Sequence, residues 1–517
     1  MMRALPAVTA IVLALAVLLG GGTRQGYLGD VIVQMAACFL ISLILWKQSV
    51  PGRMWRLDWL GKALLLVAVV LCVVQLLPFF PGLAVRTLSI PDAAGGTLSI
   101  SQSWWSRISI TPAATWAGLV STIVPMAVFI AVAQCDVAGR LQLWRIALLL
   151  GALSLLLGIL QMSQGPSSPF RFFAITNSAE AVGFFANRNH FAALLYVTLA
   201  FAGVWVAASG RQLAQRGRIN GRAIASMGGA VAFLLLLTAG LAMARSRAGV
   251  LIAVGVVVGV GIMALATRPK RETADVRRHG TRTILLALVF ATLLAGQFGL
   301  QRVAGRFETD MAGDLRVPLN WATFDEALRA LPFGTGIGSF VRVYGALEDP
   351  ANLLPTYANR AHNDLAEFLL ETGLFGAILI VLLLVWFSRR AVVIWMAKTE
   401  GRDELHLDLQ RAATLAIGAL LLHALVDYGL RTTALCTLFA FACGLLTRPP
   451  PDEKVPQSVP KASMRKPAPP SPHRAPSSPP TPAGAIPPPA WGGDIAWPDE
   501  WQPNKNEPTG PRRGGQY

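Results

Sequence analysis

The stretch "NRAHNDLAEFLLETGLFGAILIVLLLVWFSRR", residues 359–390, joins two kinds of sequence that recur along this chain. From Leu374 it is an unbroken apolar run that ends at Arg389 and Arg390. Such a run predicts a helix that crosses a membrane. Directly before it stands a polar segment that contains His362. The stretch therefore predicts a spanning helix that has polar residues suited to chemistry at one end and positive charge at the other.

Composition extends this interpretation to the whole chain. Of its 517 residues, 54% are hydrophobic and 14% are charged, and the mean hydropathy is +0.51. Apolar runs of roughly 17 to 21 residues, long enough to cross about 30 Å of hydrocarbon, recur throughout. We expect an all-α polytopic membrane protein with about 12 transmembrane helices. Their centres lie near residues 12, 37, 71, 125, 154, 199, 234, 257, 291, 381, 419 and 439.

Basic residues predict the orientation of these spans. Lys and Arg concentrate in loops that fall on one side when twelve spans are threaded, and the positive-inside rule makes that side the cytoplasm. We expect both termini there. The net charge of +17 is thus explained by topology and tail, and a nucleic-acid partner is disfavoured. The basic loops are residues 47–56, 211–222, 268–282 and 389–402.

The same threading divides the chain into three regions. Residues 1–165 form about five N-terminal spans, residues 166–447 form a transmembrane core with a long periplasmic loop at 300–372, and residues 448–517 form a tail. Twenty of the 34 prolines lie from Pro449 onward. A segment of this composition cannot bury a core, so we expect a disordered cytoplasmic tail that is either simply solvated or a docking ligand for a proline-binding partner.

The long periplasmic loop contains a predicted amphipathic helix. In "PLNWATFDEALRALP", Trp321, Phe324, Leu328 and Leu331 have helical spacing, with Asp325, Glu326 and Arg329 on the wetter side. This helix either lies on the membrane surface or caps the bundle. The following "FGTGIGSF" lacks the Lys-Ser/Thr of a phosphate loop and predicts a sharp turn. The five cysteines have no metal-ligand spacing and are expected to serve packing.

His362 is the histidine best placed for chemistry. His190 and His423 adjoin or lie within predicted spans, and His423 precedes Asp427 by four residues, so that these two could satisfy each other on one helix face. His362 lies among polar residues in the outer loop, where a neutral imidazole could accept a proton. The alternative is an ordinary polar residue before a helix. Glu367 or Glu371 could orient His362 or only complete a helical turn.

Arginines and asparagines complete the candidate site. Arg245 and Arg247 occupy the short outer turn "MARSRAG", and Arg316 lies in the periplasmic loop. Several guanidinium groups around one pocket suit a diphosphate, although snorkelling at the membrane interface explains the first two equally simply. Asn187 and Asn189 could bind sugar hydroxyls or cap a loop.

Five motifs, in order over about residues 170–445, resemble the O-antigen ligase and polymerase family. They are "GFFANRNHFAALL" (183–195), "RSRAG" (245–249), Arg316 and Trp321 followed by "PFGTGIGSF" (332–340), "AHNDLAEFLLETGLFG" (361–376) and "LLHALVDYGLR" (421–431). The resemblance implies a glycosyltransferase that moves a glycan from undecaprenyl pyrophosphate to an acceptor hydroxyl on the periplasmic face. It implies no metal and no other cofactor, and membrane lipids as its surroundings.

The resemblance also implies roles for particular residues. Arg247 and Arg316 would bind the donor diphosphate and His362 would activate the acceptor. Ligase activity in lipopolysaccharide or surface-polysaccharide assembly is our first expectation, with a polysaccharide polymerase or a protein O-oligosaccharyltransferase as alternatives. A flippase is the alternative from a different class. The further residues expected to bind substrate are Arg245, Asn187, Asn189, Arg360, Asn363 and Glu371.

Overall fold

A computed structural model describes most of the chain up to Pro450. The described ranges are 4–24, 26–48, 57–78, 88–91, 97–100, 107–215, 221–266, 316–348, 358–397 and 403–450. Contacts divide the chain into a compact unit, Met1–Glu453, and residues 454–517. The described residues belong to the first unit. The predicted disordered tail lies outside the described residues from position 451 onward.

The described part of the chain is almost entirely helical, as predicted. Its helices, numbered in chain order, are α1 Ala4–Leu19, α2 Leu28–Gln48, α3 Trp59–Leu76, α4 Pro112–Ser121, α5 Ile123–Gln134, α6 Val137–Gln164, α7 Arg188–Gln215, α8 Gly221–Ala244, α9 Arg247–Ala266, α10 Arg316–Arg329, α11 Phe340–Leu347, α12 Asp364–Trp395, α13 Glu404–His423 and α14 Thr433–Leu446. A 3₁₀ turn, Gly429–Arg431, precedes α14. Two short antiparallel strands, β1 Leu88–Pro91 and β2 Thr97–Ile100, pair with Leu88 opposite Ile100.

Nine helical segments within the described ranges are long and apolar enough to cross a membrane, and α1 and α14 are shorter apolar helices. Together they occupy eleven of the twelve predicted positions, with α4 and α5 counted as one segment. The predicted span near residue 291 lies outside the described residues. All five cysteines are free.

The core of the bundle is centred on α7. Its residues from Arg188 to Leu213 are mostly buried, and it packs against α8, α9 and α13. α14 packs against α5 and α13, while α12 packs against α3. Because helices α7, α13 and α14 contact one another, the residues at their ends can form one site.

The two ends of the bundle differ in character. At one end Arg211 pairs with Asp408, and Arg390 donates to the carbonyl of Leu446. There the fully buried Arg140 donates 2.7 Å to the carbonyl of Thr447. Two of these basic residues, Arg211 and Arg390, come from loops that the sequence predicts to be cytoplasmic. His362 lies beside Asp427, which follows the opposite terminus of α13.

Helix α12 is interrupted where its polar beginning meets its apolar run. Gly373 has φ +58° and ψ −142°, which is not helical. An added Cβ there would lie 2.3 Å from the carbonyl oxygen of Pro332, and the amide of Leu374 donates 2.9 Å to the same oxygen. Only glycine fits this close approach with this dihedral. The break separates residues 364–372 from the spanning part, 374–395.

Candidate functional site

His362 lies in the loop that leads into α12. Its φ is +54°, a left-handed conformation that is uncommon for a residue with a side chain. Asn363 then caps the helix, because its side-chain oxygen accepts a 3.1 Å hydrogen bond from the amide of Ala366. The imidazole Nδ1 lies 3.3 Å from Oδ1 of Asp427, and 23% of the His362 side chain is exposed. The turn thus leaves the imidazole of His362 partly exposed, with its Nδ1 against the carboxylate of Asp427.

Asp427 is the buried centre of this site. It follows the C-terminus of α13 and is 1% exposed. Its carboxylate accepts from the side chain of Asn189 and, at 2.9 Å, from the amide of Tyr428. Burial alone would raise its pKa, but the hydrogen bond with His362 and the nearby His423 and His190 hold the pKa of Asp427 well below its usual range. Asp427 is therefore ionised at neutral pH.

The predicted pairing of His423 with Asp427 is only part of the arrangement. α13 ends at His423, so Asp427 lies beyond the helix. The two side chains approach to 3.9 Å between Nε2 and Oδ2, while the carboxylate is shared with His362 and Asn189. Asp427 orients His362, a role the sequence analysis had considered for Glu367 or Glu371.

Asn187 and Asn189, at the start of α7, belong to the same cluster. The Asn187 side chain accepts 2.8 Å from the amide of Asn189 and donates 3.3 Å to the Tyr428 hydroxyl. The Tyr428 ring meets that of His362 edge-on at 4.8 Å. Burial, with the charge of Asp427, raises the pKa of Tyr428 to about 12, so its hydroxyl stays protonated at neutral pH. The two asparagines thus cap the turn and support the groups behind His362.

Two further histidines line the buried side of Asp427. His190 is fully buried and its ring lies 4.9 Å from that of Tyr428. His423 is 1% exposed and lies 5.9 Å from the ring of Tyr196. Within the described ranges, neither ring nitrogen of either histidine has a hydrogen-bond partner. Buried polar atoms are usually satisfied, so these two rings are exceptions among the described residues.

A second charged cluster, the Arg431 cluster, fixes the segment before His362. Arg431 donates 2.7 Å to Glu371 and approaches Glu367 and Asp364 at 3.6 and 3.5 Å. Glu367 also binds the side chain of Arg360 at 2.8 Å and the amide of Ala361 at 2.9 Å. Burial alone would lower the pKa of the Arg431 guanidinium, but these carboxylates raise it above its usual range.

The Arg431 cluster gives Arg360 and Glu371 partners within the protein. Arg360 is 8% exposed, and Glu371 accepts from both Arg431 and, at 2.8 Å, the amide of Gly338. The turn predicted from "FGTGIGSF" is present, with positive φ at Gly334, Gly336 and Gly338, and it is held by Glu371.

The predicted diphosphate-binding arginines begin two helices. Arg247 is the first residue of α9, and Arg245, with φ +50°, turns the chain out of α8. This turn adjoins the loop before α7, since the amide of Ala181 donates 3.3 Å to the carbonyl of Met243. Arg316 is the first residue of α10, and its side chain lies outside the described part. Among the described residues, no group of three or more His, Cys, Asp or Glu side chains is arranged to hold a metal ion.

Sequence reasoning missed Asp427, Tyr428 and Arg431 as members of the site. All three lie within "LVDYGLR", the end of the last quoted motif. Asp427 is 65 positions from His362 along the chain, so no local spacing connects them. The only available signal was the motif itself.

These elements define a multi-pass membrane protein with a buried polar site at one end of its helices. The family model of the O-antigen ligases matches residues 232–381, so over that range the chain is similar to this family. The matched range includes Arg245, Arg247, Arg316 and His362. A search of curated proteins gives no match. This similarity supports an O-antigen ligase-like function in polysaccharide assembly.

Proposed function

We propose that this protein transfers a glycan from undecaprenyl pyrophosphate to an acceptor hydroxyl at the periplasmic face of the bacterial inner membrane, as an O-antigen ligase. The observation that carries the proposal is the contact of 3.3 Å between His362 Nδ1 and Asp427. A proton on Nδ1 donated to this carboxylate leaves Nε2 as an acceptor. His362 is the partly exposed member of the pair, so an acceptor hydroxyl can reach it.

The reaction requires one proton transfer and one displacement. The acceptor oxygen gives its proton to His362 and forms a bond to the anomeric carbon. The bond from that carbon to the pyrophosphate oxygen breaks, and polyprenyl pyrophosphate leaves with the electron pair. Asp427 stays ionised and stabilises the imidazolium that forms. A pyrophosphate leaving group needs no covalent intermediate on the enzyme.

Arg247, Arg316 and Arg245 are proposed to neutralise the charge on the leaving pyrophosphate. A guanidinium offers a planar fork of donors to anionic oxygens. Arg360 is predicted to bind substrate, but its bond to Glu367 supports a structural role. Asn363 and Glu371 are similarly engaged as a helix cap and in the Arg431 cluster.

Substitution of His362 tests the proposal. In proteoliposomes with lipid-linked oligosaccharide and acceptor, we expect His362→Ala to lower turnover by roughly 10²- to 10⁴-fold. Donor binding should persist, and added imidazole should restore part of the activity. His406→Gln is the matched control, because His406 lies at the other end of α13 and its substitution should leave turnover nearly unchanged. Wild-type turnover by His362→Ala would overturn the assignment.

The same reconstitution separates the alternatives. Donor that crosses the bilayer without cleavage would identify a flippase. Transfer only to a second lipid-linked repeat would identify a polymerase, and transfer to a protein hydroxyl an O-oligosaccharyltransferase.

A further inference from the structure

Helix α10 leaves a row of large apolar side chains uncovered. Trp321 is 66% exposed and Leu328 54%. With a helical period of 3.6 residues, the row lies along a single face. A row of exposed apolar side chains of this size, on a helix outside the predicted spans, indicates a surface that contacts another molecule or a membrane. Its members are Val317, Trp321, Phe324, Leu328 and the adjoining Leu331.

The row is not the face that attaches α10 to the rest of the protein. That attachment uses Leu319, Thr323, Ala327 and Ala330, all buried, and α10 packs against α11 and α12. Glu326, which the sequence analysis placed on the wetter side, is also buried. The large apolar residues are therefore not the ones by which α10 meets α11 and α12.

The exposed row continues into the surface of a spanning helix. Two residues after Leu331, the ring of Phe333 stacks on that of Phe375 at a centroid distance of 6.1 Å. Leu374 and Phe375 are each nearly half exposed, as is Ile378 further along α12. Since α12 is a spanning helix, this part of its surface faces lipid. One apolar surface thus runs from α12 onto α10.

We propose that α10 lies in the interfacial layer of the bilayer, with this row in contact with phospholipid acyl chains. Lipid is the occupant that the continuity with α12 favours over a second protein copy. The remaining strip of the helix suits this placement, because Asp325 and Arg329 are exposed beside the row and can reach the headgroups. An amphipathic helix of this pattern binds in the plane of a membrane interface, and an exposed Trp is typical of that depth.

Interfacial placement fixes the depth of the candidate site. The turn after α10 is hydrogen-bonded to α12, with the amide of Gly336 2.9 Å from the carbonyl of Glu371. Glu371 in turn binds Arg431. An α10 anchored at the interface therefore holds the Arg431 cluster near the headgroups.

Quenching by brominated lipid tests the contact. The full-length protein is placed at one copy per nanodisc in phosphatidylcholine brominated near the top of the acyl chains. The fluorescence lost in Trp321→Phe relative to wild type gives the signal of Trp321. We expect brominated lipid to quench more than half of this signal. Trp144, which is 7% exposed, supplies the control, since the signal lost in Trp144→Phe should be quenched less.

A second variant tests the direction of the face. Arg329 lies roughly 80° around the helix from Trp321 at 100° per residue, so Arg329→Trp in the Trp321→Phe background should give a less quenched indole. Trp321→Tyr provides a second removal if the first variant is unstable. A Trp321 signal that brominated lipid leaves unquenched at one copy per disc would overturn the proposal. Protection of Trp321 from the quencher that appears only with two copies per disc would identify a second protein copy as the partner. Neither measurement requires glycan transfer, so failure here and failure of the proposed function are distinguishable.

Discussion

Asp427 gathers its partners from two distant parts of the chain and from its own turn. Asn189 comes from the start of α7, His362 from the loop before α12, and Tyr428 from its own turn. A buried carboxylate is stable only when its oxygens are paired. Its position therefore defines where the three segments meet, and with them the direction in which His362 points.

Replacing this carboxylate by an amide should disable His362 without removing it. In Asp427→Asn the amide can donate to Nδ1 and favour the wrong imidazole tautomer, so turnover should fall by roughly 10²-fold or more. The KM for donor should change little. Since an amide does not ionise in this range, raising the pH should not restore activity. A variant that loses donor affinity but keeps its turnover would instead show a role in binding.

Substitution of Arg247 or Arg316 should weaken donor binding as well as turnover. Arg316→Lys and Arg247→Lys keep the charge but lose the planar fork, so donor affinity and rate should both fall, by roughly 10-fold or more. Arg329→Lys, at an exposed position of α10, is the matched control. Donor affinity and transfer rate measured in proteoliposomes check this, and unchanged donor affinity in both test variants would contradict the diphosphate assignment.

At this scale the sequence predicts residue types better than their contacts. His362 is recognisable from its polar surroundings in an outer loop. Its partner is not, because a helical spacing of four connects Asp427 to His423 and the chain leaves the helix between them. Arg360 looks like a free cation in the sequence, and only the fold brings Glu367 to it.

The Arg431 cluster joins the 3₁₀ turn to the first turns of α12, and its loss should be visible as instability. Arg431→Met leaves Asp364, Glu367 and Glu371 without their shared counter-ion, which should lower the free energy of unfolding by about 3–5 kcal/mol. Adding Glu371→Gln to this variant should recover part of the loss. SDS titration of the purified protein measures both values. Arg342→Met, at an exposed position, should change little, and an equal loss there would refute the cluster's importance.

Spanning helices are the elements that the sequence predicts well, because a long apolar run has few structures open to it in a bilayer. The amphipathic helix α10 is found where the spacing of its apolar residues predicts it. The spacing does not predict which of its apolar residues pack against the rest of the protein. Small residues such as Ala327 and Ala330 allow close packing on α12, and the large ones are left outside.

At the scale of the whole molecule, the bundle separates positive charge from the candidate site by the length of α13. The 20 residues of that helix span about 30 Å at 1.5 Å per residue. The sequence predicts this separation because the basic loops alternate with polar outer loops. The sequence does not show where the predicted span near residue 291 or the proline-rich tail lies relative to the bundle. Both fall outside the described residues.

The break at Gly373 has a mechanical consequence for the molecule in its membrane. A spanning helix adjusts its tilt when the hydrocarbon layer becomes thicker or thinner. Residues 374–395 can follow such a change by pivoting at Gly373, while residues 364–372 keep their orientation. Transfer rates in bilayers of short and long acyl chains should therefore agree within about threefold, whereas a rate that tracks lipid thickness closely would show a rigid rod. We therefore expect this glycine to let the spanning part of α12 tilt without moving the residues beside His362.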